Sequence, residues 1–182
     1  GFLAALGMTA FMKIIKENWL TILVFAVSAA VLFIGITTRS FWTDEWYAFR
    51  YFDMSFVEFF KDYWAHPDNH PPGYYLILMT FVKFFGRSDL AVRLPGVIGA
   101  AGSVYISFVL TQRVLGRKKR HALPLLLIAA SAPYLLVLSH TARYFSLASF
   151  AVLLTIYTLI AIVEGRGQRW YYYHALSVIL TG

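Results

Sequence analysis

The stretch Trp19–Thr38, WLTILVFAVSAAVLFIGITT, followed by Arg39-Ser40-Phe41-Trp42-Thr43-Asp44-Glu45-Trp46, decides how the chain is read. The apolar run carries no charge, and its length suits a helix crossing the ~30 Å hydrocarbon core of a bilayer, which takes roughly 20 residues. Asp44 and Glu45 follow it by about half a dozen residues. That spacing puts two adjacent carboxylates at the membrane–water boundary, where they stay ionised yet can reach a substrate carried in the lipid.

Composition agrees with a membrane setting. Of 182 residues, 59% are hydrophobic, 18% are aromatic and only 14% are charged, against about 25% charged in soluble domains. The mean hydropathy is +0.64. The chain has no cysteine, which excludes a disulfide framework and thiol chemistry. The first residues, GFLAALGMTAFMKIIKEN, are not expected to be a signal peptide, because the strongest apolar run follows their charges and lacks a small-residue cleavage site. The net charge of +7 is assigned to topology and not to nucleic acid: basic residues cluster in short loops between apolar runs.

The runs predict an all-α, polytopic transmembrane helical bundle of about five spans: Trp19–Thr38, Leu90–Leu115, Ala122–Ser139, Phe145–Val163 and a last one from Trp170. The loops around Arg117–Arg120 and Arg166–Arg169 are basic and short, so they are expected to face the cytoplasm together with residues 1–18. Residues 39–89 then form the first extracytoplasmic loop, and His140–Tyr144 lies on the same side. With this arrangement the whole net charge of +7 falls inside. Within the first loop, Ser55 followed by Glu58 predicts the capped start of a short interfacial helix. The run opened by Pro71-Pro72 and containing Lys83 is short for a span. It is expected as an interfacial or re-entrant helix, with a tilted crossing as the alternative.

Three outward segments carry the candidate chemistry. Asp44 and Glu45 are the candidate catalytic carboxylates, able to act as general base on an acceptor hydroxyl; the alternative is solvated loop acids, or Asp44 as a helix cap. Arg143, in SHTARYFSL, has no acidic residue near it in sequence and suits bidentate binding of a phosphate. Arg93 is a candidate helper, or the residue that starts its span. His66, Asp68 and His70 alternate in a proline-rich loop and are candidate ligands for a divalent metal. The spacing is not a zinc signature, and a stiff polar turn is the competing reading. His70, His66, Tyr144 and Tyr47 complete the candidate substrate-binding set. Together these parts suggest transfer of a sugar from a polyprenyl-phosphate donor, with arginine offsetting charge on the leaving phosphate and Asp44 activating the acceptor. A single displacement of this kind inverts the anomeric centre.

At these residues the chain resembles the GT-C superfamily of membrane glycosyltransferases, in the protein O-mannosyltransferase-like branch that includes lipid A aminoarabinose transferases. The resemblance rests on Asp44-Glu45, Asn69-His70-Pro71-Pro72-Gly73-Tyr74-Tyr75, Phe85-Gly86 with Ala91-Val92-Arg93-Leu94-Pro95, Leu115-Gly116-Arg117, and Ser139-His140-Thr141-Ala142-Arg143-Tyr144. It covers about Lys13 to Glu164. It implies a polyprenyl-phosphate sugar donor, an inverting mechanism, Asp44 as the catalytic carboxylate, and roles near donor or acceptor for Glu45, His70 and Arg143. Metal use varies in the superfamily, so a divalent metal stays an open expectation. Some members carry an acidic residue near Ala142-Arg143-Tyr144, where this chain has none. Members usually have more spans, so the chain is expected to be the N-terminal part of a single GT-C-type module, completed by further chain or by additional membrane subunits. The expected partners are the donor, membrane lipid and an acceptor protein, glycan or lipid, with no nucleic acid. The expected location is a bacterial or archaeal plasma membrane, with the site on the extracytoplasmic face. The competing classes are a non-catalytic membrane subunit and a transporter or flippase fragment.

Overall fold

A computed structural model describes residues 19, 22–23, 25–66, 70–114 and 133–181. Among these residues the chain is all helix and turn, with no strand. The first helix, α1, covers residues 25–33 and extends back through 19, 22 and 23. It stops several residues short of the expected Thr38. The reason is Gly35, whose φ of 81° is a left-handed conformation that ends helices cheaply only for glycine. Thr38 closes the turn by donating its hydroxyl to the Gly35 carbonyl at 2.8 Å.

Two short helices follow, α2 (Thr43–Phe49) and α3 (Phe56–Ala65). The capping box read from the sequence forms at α3: Glu58 N–H donates to Ser55 Oγ at 3.3 Å, and Ser55 N–H donates to Glu58 Oε2 at 2.7 Å. The backbone N–H of Ser55 holds the Glu58 carboxyl below its ordinary range. In α2 the corresponding carboxylate is Glu45, which accepts the Trp42 N–H at 2.7 Å. Glu45, not Asp44, therefore caps this helix.

Helix α4 (Pro72–Phe85) starts with proline at its first position, where no intrahelical N–H is needed, and ends at Gly86 with φ 78°. Its buried stripe Tyr74, Tyr75, Leu78, Met79 and Val82 recurs at helical spacing. This stripe meets Phe59 and Tyr63 of α3 and Ala48, Tyr51 and Phe52 around α2. The aromatic residues of the first loop thus divide in two. One set builds this core, while Trp42, Trp46, Tyr47 and Trp64 stay exposed.

The remaining helices are α5 (Asp89–Val114), the short α6 (Pro133–Ser139), α7 (Phe145–Val163) and α8 (Arg169–Thr181). Among the described residues two helices are long and apolar enough to cross a membrane, within Asp89–Arg113 and Phe145–Val163. The other expected spans differ: α1 and α6 border residues outside the described set, and α8 has 13 residues. Helix α4, at 14 residues, is below span length, as its sequence suggested. Helix α5 packs on α4, α6 and α7, and α7 packs on α8.

The α5–α7 contact is close because of two glycines, Gly99 and Gly102, and Gly96 lets the end of α6 approach α5 in the same way. A Cβ on Gly99 would lie 2.8 Å from the Ser146 and Leu147 backbone, and one on Gly102 would lie 2.6 Å from the Phe150 ring. A Cβ on Gly96 would lie 2.8 Å from the Ser139 carbonyl oxygen. Backbone-to-backbone approach of this kind gives dispersion contact without side-chain ordering, the usual means of association in lipid. Gly99→Ala should therefore push the two helices apart and lower stability by about 1–3 kcal/mol. Gly73→Ala, with no neighbour within 4 Å, should change it by less than about 0.5 kcal/mol. Thermal unfolding of the two variants in one detergent compares them; equal midpoints would contradict the packing.

Candidate functional site

One cluster of polar groups lies at the end where α5 and α7 begin. There α2 meets the α6–α7 turn through Glu45. Its Oε1 accepts the Ala142 N–H at 2.6 Å, and its Oε2 accepts the Trp42 N–H at 2.7 Å. Arg93 from the second turn of α5 lies with Nε 3.7 Å from Glu45 Oε1, an ion pair without a hydrogen bond. The two side chains are 1% and 3% exposed. Arg93 Nη1 also donates to the Ile36 carbonyl at 2.6 Å and Nη2 to the Ser40 carbonyl at 3.4 Å. The guanidinium sits 4.4 Å from the centre of the Phe41 ring, a cation–π contact.

Asp44 is one residue before Glu45, and Arg143 is one residue after Ala142. Arg143 Nη1 donates to the Asp44 carbonyl at 2.8 Å, and Nη2 lies 3.8 Å from Asp44 Oδ2. The Asp44 side chain remains 63% exposed, while that of Arg143 is 16% exposed. The arginine that stands alone in sequence is thus paired in the fold. These residues border a cavity of about 370 Å³, together with Arg39, Ser40, Trp42, His140, Thr141 and Phe145. His140 is turned by a 2.7 Å hydrogen bond from Nε2 to the Leu32 carbonyl, one of the carbonyls left open at the end of α1.

The remaining candidates lie elsewhere. The His70 ring packs edge-on to Tyr144 at 4.8 Å, and its carbonyl accepts the Tyr63 hydroxyl at 2.6 Å. Tyr144, Tyr74 and Pro71 border a second groove of about 430 Å³, whose mostly apolar wall includes Leu76, Leu147, Ile179 and Leu180. His70 and Tyr144 therefore adjoin the cavity through the chain next to Arg143 but do not line it. His66 pairs with Asp62 in α3 at 3.3 Å and is 67% exposed. Tyr47 points outward on α2, 59% exposed. Asp68 lies outside the described residues, and among those described no group of three or more His, Asp or Glu is placed to hold a metal.

Three features escape a reading of the sequence. Arg93 looks like the charged start of a span, but an arginine inside an apolar run usually faces a partner, and Glu45 is that partner. His140 is fastened to α1, a contact between distant segments with no local sign. Tyr74 presents a hydroxyl that is buried without a hydrogen-bond partner. Burial pushes that phenol above its usual range, so it stays neutral.

Among its described residues the protein is helix and turn, with two apolar helices of spanning length and a cavity lined by charged residues at one end of the bundle. Residues 69–181 match the family described as dolichyl-phosphate-mannose-protein mannosyltransferase, and the chain belongs to that family. It is thus a membrane glycosyltransferase of GT-C-like type. The matched residues include His70, Arg93, Arg143 and Tyr144, and begin after Asp44 and Glu45. No curated protein and no solved structure matches the chain.

An unpaired buried hydroxyl costs about 1–3 kcal/mol. Tyr74→Phe should therefore raise the unfolding midpoint in detergent, and a lowered midpoint would show that the hydroxyl has a partner in the folded protein.

Proposed function

We propose that the protein transfers a sugar from a polyprenyl-phosphate donor to an acceptor hydroxyl on the extracytoplasmic face, with inversion. One observation carries this reading: a solvent-reachable carboxylate, Asp44, stands beside the guanidinium of Arg143 at a cavity on the end of a bundle of apolar helices. A lipid phosphate resides at that depth, and the sugar it bears projects toward water.

The reaction follows from the charges. The acceptor hydroxyl gives its proton to Asp44 as its oxygen attacks the anomeric carbon. The carbon–oxygen bond to the phosphate breaks, and the electron pair leaves with the phosphate. Arg143 has donors beyond the one used on the Asp44 carbonyl, and its charge offsets the charge growing on the leaving group. Arg39 at the cavity wall adds a second cation. Attack and departure occur on opposite faces of the ring, which is why the configuration inverts. Trp42 and Phe145 at the same wall offer apolar surface to the sugar or the first isoprene units. His70 and Tyr144 are assigned to the acceptor or donor side next to the cavity.

The face is supported by the shape of the bundle. Arg113 and Arg166 lie at the other end, where Arg113 Nη1 is 3.8 Å from Glu164 Oε2 and Arg166 Nε donates to the same oxygen at 2.7 Å. Basic residues mark cytoplasmic ends.

Asp44→Asn is expected to insert and fold as the native chain does, because the side chain is mostly exposed, and to lower kcat by about 10²–10⁴-fold. Turnover of a radiolabelled polyprenyl-phosphate sugar measures this, and undiminished turnover would remove Asp44 as the base. Arg143→Ala should raise the donor KM, and an unchanged donor KM would argue against phosphate contact. The chain lacks cysteine, so single cysteines at Asp53 and Gln168, both exposed, can be labelled in sealed vesicles. The proposal expects label from the outer side at Asp53 and from the inner side at Gln168; the reverse pattern would place the site in the cytoplasm.

A further inference from the structure

We propose that Glu45 and Arg93 are a positioning pair that sets the spacing of Asp44 and Arg143 and does not itself act on substrate. This rests on the reading of Asp44 as base and Arg143 as phosphate clamp. Both side chains contribute to the wall of the cavity, yet their polar atoms are committed to protein. Each Glu45 oxygen receives a backbone N–H, from Ala142 at 2.6 Å and Trp42 at 2.7 Å. Arg93 binds two carbonyls, of Ile36 and Ser40, and covers the Phe41 ring. At 2% and 1% exposure neither residue is free to approach a reacting atom.

The connectivity explains what the pair does. The two functional residues are each one position along the chain from the partners of a single hydrogen bond, Glu45 to Ala142. Neighbouring Cα atoms are about 3.8 Å apart, so any shift at that bond passes directly to Asp44 and Arg143. Arg93 determines where the Glu45 carboxylate lies, because a buried carboxylate without a countercharge would be protonated or would turn out to water. The same guanidinium fastens the segment from Ile36 to Ser40, which leads from α1 into α2. One cation on α5 therefore orders both the Glu45 carboxylate and the chain that leads into it. A glutamine at position 45 would present one acceptor and one amide donor to two backbone N–H groups, so one N–H would lose its partner.

The test uses the full chain, whose lack of cysteine allows spin labels at Thr43→Cys on α2 and Ser149→Cys on α7, both exposed positions. Pulsed dipolar spectroscopy of the labelled protein should give one narrow distance distribution. Glu45→Gln and Arg93→Leu are expected to shift or broaden it and to lower kcat on the order of 100-fold, as a misplacement of about 1 Å does. Arg93→Lys should recover part of both. Asp44→Asn should lose turnover with the distribution unchanged, which reads the functional proposal separately. An unaltered distribution in Glu45→Gln and Arg93→Leu overturns the inference, whether turnover is lost, which would make them groups acting on substrate, or kept. Should Arg93→Leu fail to fold, Glu45→Asp, which keeps the charge and shortens the reach, takes its place: an unshifted distance there overturns the inference equally. Retained turnover in Asp44→Asn would defeat the functional reading while leaving the distance result standing.

Discussion

A single buried carboxylate, that of Glu45, is the constraint on which the outer end of the bundle depends. It receives backbone N–H groups from Trp42, three residues before it, and Ala142, 97 residues after it, and it faces the guanidinium of Arg93. Taking a carboxylate and a guanidinium out of water costs several kcal/mol for each ion, and only close pairing with satisfied hydrogen bonds offsets it. The arrangement meets that condition for the acid. For the arginine, Nη1 and Nη2 have carbonyl partners, and Nε has the charge of Glu45 without a hydrogen bond. Such a pair adds little net stability compared with apolar side chains of equal size, but losing one partner is expected to cost about 3–5 kcal/mol. Its consequence is geometric: the Glu45 contact with Ala142 N–H ties α2 to the α6–α7 turn.

The remaining packing delivers the elements to that junction. The glycine face of α5 lets α7 and the α6–α7 turn come into backbone contact, which sets Ala142 and Arg143 above the start of α5. The aromatic core of α3 and α4 includes Ala142, so the first loop and the turn share one packed unit. Rings such as Tyr51, Phe59 and Tyr75 meet edge to face or tilted, at centroid distances of 4.7–6.2 Å. Aromatic pairs in such arrangements contribute about 0.5–1.5 kcal/mol beyond their burial. Fixed placement of the reacting groups matters at a group-transfer site, since orientation supplies a large part of the rate. At the opposite end, a Thr158–His174–Ser177 hydrogen-bond cluster joins α7 to α8, with Thr158 Oγ1 3.0 Å from His174 Nδ1. Polar contacts between apolar helices fix their rotation about their axes. The two ends therefore differ in kind: one closes helices together, and the other holds an exposed acid.

Much of this was legible in the sequence because it is local. The capping box at Ser55 and Glu58, the proline start of α4 and the spanning lengths of α5 and α7 each follow from residues within a few turns of one another. The placement of Asp44 just past an apolar run, with Arg143 just before another, correctly indicated that both belong at one end of the bundle. What the sequence hid is non-local. Nothing near Glu45 shows that its carboxylate is taken up by Ala142 and Arg93, so it reads as a twin of Asp44 although the fold separates an exposed acid from a buried one. Arg143 reads as an isolated cation, and only the docking of α2 shows it against Asp44. The early end of α1 was written in Gly35, but an apolar run continues past it, and hydropathy does not register a change in backbone conformation. His66 and His70 alternate in sequence, yet the end of α3 directs His66 to Asp62 while His70 turns to Tyr144.

The most direct test is a density map of the protein with a polyprenyl phosphate bound. The account expects the phosphate oxygens within hydrogen-bond distance, about 3 Å, of the Arg143 guanidinium, with the Asp44 carboxylate at the same cavity and the Glu45–Arg93 contact intact. A phosphate bound at the opposite end of the bundle, beside Arg113 and Arg166, would contradict it.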